Sequence, residues 1–111
     1  MESIVVWKDR SNKAYIQLLQ DDTVLTESEM NQFTKAEIHY AGAYYDSDTY
    51  ATAFDFSTEA ANGKLVVRLG LLPLPVGNDV AELILYDPSN TDGLMWLQFA
   101  VQVRADAAKI V

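Results

Sequence analysis

The chain has 111 residues, half of them apolar and 22% charged, with no cysteine and a formal net charge of −8. That length suits one ordinary domain, 1–111, whose single core needs no covalent staples. The missing cysteine excludes disulfides, thiolate metal sites and cysteine nucleophiles, and the acidic balance argues against a nucleic-acid-binding face, which needs clustered Lys and Arg.

Met1-Glu2-Ser3 precedes a short apolar run, Ile4 to Trp7. The start lacks a basic segment, and the run is too short for the apolar part of a signal peptide. No stretch approaches the roughly 20 apolar residues of a membrane span, so no membrane insertion is expected. Ile4-Val-Val-Trp7 reads as a first strand, broken by Asp9-Arg-Ser-Asn12. Ala14 to Gln20 is the next, with Ile16 and Leu18 on one face and Tyr15, Gln17 and Leu19 on the other. Asp21-Asp22 turns the chain.

Thr26-Glu-Ser-Glu29 has the spacing of a capping box, which predicts a short helical turn within 26–33. Thr34 to Tyr40 is a strand with Ala36, Ile38 and Tyr40 inward and Lys35, Glu37 and His39 outward. Ala41-Gly42 turns into a short strand at Ala43-Tyr-Tyr45. A polar loop, 46–52, leads to an edge strand at Ala53-Phe-Asp-Phe56. Asn62-Gly63 reads as a two-residue turn, since both residues tolerate positive φ.

The stretch from Lys64 to Val103 organises the rest. Lys64 to Gly70 is a strand, and Leu71 to Gly77 is a corner whose Pro73 and Pro75 forbid a central strand, so it crosses between sheets. Val80 to Tyr86 is a strand apolar on both faces apart from Glu82, which favours Ala81, Leu83 and Leu85 as the inward set. Asp87 to Gly93 is a loop. In the last strand, Leu94 to Val103, Met95, Leu97, Phe99, Val101 and Val103 face inward and Trp96 faces out. Residues 105–111 are expected to be a flexible or partner-bound tail. Short strands with turns every eight to twelve residues predict an all-β, antiparallel, immunoglobulin-like sandwich of seven or eight strands.

Little here points to catalysis. His39 is the only histidine, on an outward strand position, and no Gly-x-Ser-x-Gly elbow is present. One His, no Cys and no His-Glu-x-x-His give no metal site, and no cofactor is expected. Asp46, Asp48 and Asp55, and Asp87 with Asp92, have oxygens that suit calcium, but their settings read better as turns in which Asp bonds its own backbone. Tyr44, Tyr45 and Tyr50 offer rings on which a sugar could stack, an alternative in which the chain is a carbohydrate-binding or adhesion module. Trp96, with the doubly apolar strand that carries Ile84 and Tyr86, points to contact with another protein chain, and Tyr44 joins that set. The competing reading is that a second layer, the 26–33 turn or the C-terminal tail, covers Trp96 and that strand.

Some longer stretches carry a resemblance: 34–47, Asn62 to Gly70, Leu74-Pro-Val-Gly77, Ala81 to Asp87, and Gly93 to Val103. Their order resembles small immunoglobulin-like sandwiches of tailed phages and prophages, and is similar to the N-terminal modules of baseplate upper proteins. The resemblance covers about three-quarters of the chain, through motifs that encode a sandwich rather than a site. It implies a non-enzymatic structural role in a tail or baseplate, homo-oligomerisation within a larger assembly, and a place in the virion or, failing that, in the bacterial host cytoplasm. The family supplies no catalytic residue to carry over.

Overall fold

The computed structural model describes residues 3–8, 10 and 12–104. The expected tail, 105–111, lies outside the described residues. The fold is mostly strand: β1 (Ser3–Trp7), β2 (Lys13–Gln17), β3 (Leu19–Gln20), β4 (Thr23–Val24), β5 (Lys35–Tyr40), β6 (Ala43–Asp46), β7 (Phe54–Asp55), β8 (Lys64–Arg68), β9 (Gly77–Asp87) and β10 (Asn90–Arg104). One helical turn, α1 (Glu27–Met30), sits between β4 and β5. Seven strands have four or more residues. The count rises to ten because β3, β4 and β7 are two-residue pieces.

Two sheets carry the architecture. One has five strands in the order β1-β10-β9-β5-β6, the other three in the order β2-β8-β7, and β3-β4 form a separate small hairpin. Every pairing is antiparallel except β1 on β10, which is parallel and corrects the all-antiparallel expectation. The reason lies between Trp7 and Lys13, where the chain leaves the larger sheet for the smaller. Asn12 clasps this switch: its side-chain oxygen accepts from the Trp7 amide at 3.2 Å and its side-chain nitrogen donates to the Trp7 carbonyl at 2.6 Å.

The period-two patterns drive burial from both sheets. Ala36, Ile38 and Tyr40 from β5, Ala81, Leu83 and Leu85 from β9, and Phe99, Val101 and Val103 from β10 are all buried. Ala14, Ile16, Leu65, Val67 and Phe54 from the smaller sheet belong to the same hydrophobic cluster. The inward set of 80–86 is therefore Ala81, Leu83 and Leu85, as Glu82 suggested. Leu72 and Leu74 sink into the core while Pro73 and Pro75 stay exposed, so the proline corner carries the chain from β8 in one sheet to β9 in the other. Tyr45 fastens it by donating its hydroxyl to the Pro73 carbonyl at 3.3 Å.

Local chemistry fixes the connections. Thr26 accepts from the Glu29 amide and Glu29 accepts from the Thr26 amide, so the capping box closes on one helical turn and buries Met30. Asp21 and Asp22 both take positive φ, as do Ala41 and Gly42, the backbone that tight hairpins need. Asn62-Gly63 departs from the expected two-residue turn. Residues Ala60–Asn62 form a 3-10 turn, and Gly63 alone takes the left-handed conformation. The loop expected at 87–93 is shorter, because Asp87 already pairs with Asn90 across the hairpin.

Trp96 is the main correction. Met95 pairs with Ile84 and Leu97 with Leu83, so Trp96 is the extra residue of a β-bulge. A bulge breaks strict alternation. Met95, expected inside, is 51% exposed, while Trp96, expected outside, packs edge-on against Phe33 with ring centroids 5.6 Å apart. From Leu97 to Val103 the expected alternation resumes.

Candidate functional site: the outer face of the five-stranded sheet

The side of the large sheet turned away from the core is built by the alternate residues of β5, β6, β9 and β10. Register sets Lys35 beside Tyr86, Glu37 beside Ile84, and His39 beside both Glu82 and Tyr44. These neighbours form one connected patch. The Lys35 ammonium lies 4.3 Å from the Tyr86 ring centroid. The Tyr86 hydroxyl donates to a Glu37 carboxylate oxygen at 3.1 Å, and the His39 Nε2 shares that oxygen at 2.5 Å. Tyr44 stacks on the His39 ring at 4.0 Å with planes 25° apart. Gln98 donates to Glu82 at 2.8 Å and ties β10 to the patch.

The network leaves Glu37 only 13% exposed although no other layer of the described residues lies over its strand face. Burial pushes the Tyr86 phenol above its usual range, and the hydrogen bond and charge of Glu37 push it the same way. Gly93 seats the ring. At φ +84 it carries the bulged end of β10 so close that an added Cβ would lie 2.7 Å from Tyr86 and 2.8 Å from Ile84. Val80, Met95 and Tyr44 add exposed apolar surface, Tyr44 at 70%.

Of the residues that the sequence singles out for contact, Tyr44, Ile84 and Tyr86 meet on this face. Trp96 does not join them; its ring packs edge-on against Phe33. The tyrosines proposed as a stacking platform are separated. Tyr44 and Tyr45 are successive residues of β6 and point to opposite faces: Tyr45 is buried with Tyr50 packed on it at 6.0 Å, and Tyr44 is on the outer side. In the sequence, Lys35 and Glu37 are marked only as outward strand positions. The signal that would have joined them to Tyr86 and His39 was the antiparallel register between 34–40 and 80–86.

Chemically the patch is an oriented acid–imidazole–phenol set. A nucleophile is what hydrolytic chemistry would add to it. The Ser47 hydroxyl oxygen accepts from the Ala36 amide at 3.1 Å. The acidic loop residues act as turn formers. Asp55 accepts from the Ser57 and Thr58 amides at 2.9 and 3.0 Å, and Asp46 from the Thr49 amide at 2.9 Å. The Thr58 hydroxyl, then its amide, holds the Asp55 carboxyl well below the usual range, and the hydrogen bonds from Thr49 lower that of Asp46. Among the described residues no three His, Cys, Asp or Glu side chains gather as a metal site, and no helix is long and apolar enough to cross a membrane.

No family model and no curated protein matches this chain. The functional reading therefore rests on the surface itself.

Proposed function

We propose that the protein works through protein–protein contact, as a non-enzymatic structural or assembly module, with the outer face of the five-stranded sheet as its contact surface. One observation carries this: among the described residues no layer covers the sheet face that presents Tyr44, Ile84, Tyr86, Val80 and Met95 together with a hydrogen-bonded centre at Glu37. Tyr side chains bring large contact area, and rings already held by Glu37 and His39 lose little further freedom when a partner covers them.

The fold proposed beneath this surface is an immunoglobulin-like sandwich. The orders β2-β8-β7 and β10-β9-β5-β6 correspond to the B-E-D and G-F-C-C′ strands of that architecture, and one cluster draws on both sheets. The setting proposed is a phage or prophage tail or baseplate, a reading supported by the sequence resemblance alone. The partner proposed is a second copy of the chain within such an assembly.

Sedimentation equilibrium of the wild type and of Ile84→Glu tests the contact surface. Wild-type protein is expected to self-associate, more strongly as salt screens the net charge of −8. Ile84→Glu, which sets a carboxylate opposite Glu37, is expected to stay monomeric while keeping its β-sheet circular dichroism. A wild type that remains monomeric at its solubility limit, or an Ile84→Glu variant that associates equally well, would overturn the reading.

A further inference from the structure

A second site lies at the end of the molecule where the β3–β4 hairpin, α1 and the β9–β10 hairpin converge. There they leave an open groove of about 300 Å³. Its apolar walls are Leu19, Leu25, Phe33, Leu94 and Trp96. Leu19 and Leu94 are nearly half exposed, and the Phe33 and Trp96 rings meet at 89°. The only charged residues lining it, among those described, are Glu29 and Asp87.

Both carboxylates are fixed before any ligand arrives. Glu29 is the returning member of the capping box on α1. Asp87 accepts from the Ser89 and Asn90 amides at 2.9 and 2.7 Å. Two anchored anions beside aromatic and leucine walls, with no cation among the lining residues, complement a side chain that is apolar along its stem and positive at its tip. The net charge of −8 disfavours acidic occupants.

We infer that this groove docks an extended segment of a partner protein in which Lys or Arg is flanked by apolar residues. The stem and its apolar neighbours cover Leu19, Leu94 and Trp96, and the cation reaches Glu29 and Asp87. The inference goes beyond the sheet-face reading: apart from Met95, which also borders the groove, the two surfaces share none of the residues named for them.

The test is an NMR titration of the whole chain with two blocked peptides, acetyl-Leu-Leu-Arg-Leu-Leu-amide and acetyl-Leu-Leu-Glu-Leu-Leu-amide. The indole N–H of Trp96 is the reporter and that of Trp7, in β1, the internal control. The Arg peptide is expected to shift Trp96 saturably and to bind at least about tenfold tighter than the Glu peptide at low salt, with the gap closing as salt rises. The double variant Glu29→Gln with Asp87→Asn keeps the capping box and the turn acceptor, so it is expected to fold normally and lose that discrimination. Equal binding of both peptides, no saturable shift, or discrimination retained in the folded double variant would each overturn the inference. Tyr44→Glu, which disables the sheet face, is expected to leave the titration unchanged; a changed titration would overturn the independence of the two sites.

Discussion

The two faces of β5 and β9 differ more than any two separate regions of the molecule. On one, Ala36, Ile38, Ala81, Leu83 and Leu85 are all 0–1% exposed and form the centre of the core. On the other, the residues between them are charged, aromatic or aliphatic, joined by hydrogen bonds and a ring stack, with no layer above among the described residues. Successive residues on one backbone thus serve different ends. The inner set specifies packing, where volume and apolarity suffice. The outer set holds defined polar geometry on an open surface, which packing does not require.

Three substitutions on or against these strands separate the two faces, and one in the turn after β7 stands as a reference, from the largest expected effect to the smallest. Leu83→Ala empties a fully buried site on the central strand and is expected to cost about 2–5 kcal/mol in urea denaturation, with secondary structure retained by circular dichroism. Gly93→Ala brings a Cβ against the Tyr86 ring at φ +84; a loss of about 1–3 kcal/mol is expected, with a change in tyrosine near-ultraviolet dichroism. A stability loss no larger than that of an exposed loop substitution would show that the Tyr86 ring is not seated there. Asp55→Asn weakens the turn that enters the 3-10 segment, at an expected cost of about 1 kcal/mol at neutral pH.

The sign of its pH dependence follows from linkage. The folded Asp55 pKa is depressed, so its stabilisation is present above the unfolded carboxylate pKa and is lost as pH falls through the folded one. Asp55→Asn is expected to flatten the acid limb of stability against pH. The tyrosines act at the other end. Tyr40, Tyr45 and Tyr86 are raised above 10.0, chiefly by burial, so their contribution is present below the unfolded phenol pKa and is lost as pH climbs through the folded values. Glu37→Gln has the smallest expected effect on stability, within about 1 kcal/mol. It is nonetheless expected to let Tyr86 ionise at lower pH, read as phenolate absorbance relative to a Tyr86→Phe control. An unchanged phenolate titration would contradict the hydrogen-bonded centre of the outer face.

The strands were legible in sequence because their alternation is strict where one side is buried. Lys35 to Tyr40 and Leu97 to Val103 follow period two without interruption, and Glu82 alone was enough to orient β9. The capping box at Thr26 and the turn at Asp21-Asp22 were equally plain, since both are local side-chain and backbone chemistry. Trp96 was not legible. A bulge inserts one residue through pairing with a distant strand, and nothing within 94–97 announces it. The tyrosines misled for a related reason: Tyr44 and Tyr45 adjoin in sequence, and adjacency in a strand means opposite faces. The outer patch was half visible, as Tyr44, Ile84 and Tyr86. Its centre at Glu37 depended on cross-strand register, and the groove at Phe33 and Trp96 on three elements meeting far apart in the chain.

The central claim is that the outer face of the five-stranded sheet is where this protein meets its partner. Hydroxyl-radical footprinting of dilute and concentrated wild-type protein tests it side chain by side chain, because Tyr44 and Met95 on that face and Tyr15 on the smaller sheet are all more than half exposed. The account predicts that concentration protects Tyr44 and Met95 and leaves Tyr15 as reactive as before. Protection of Tyr15 with Tyr44 and Met95 unchanged would contradict it.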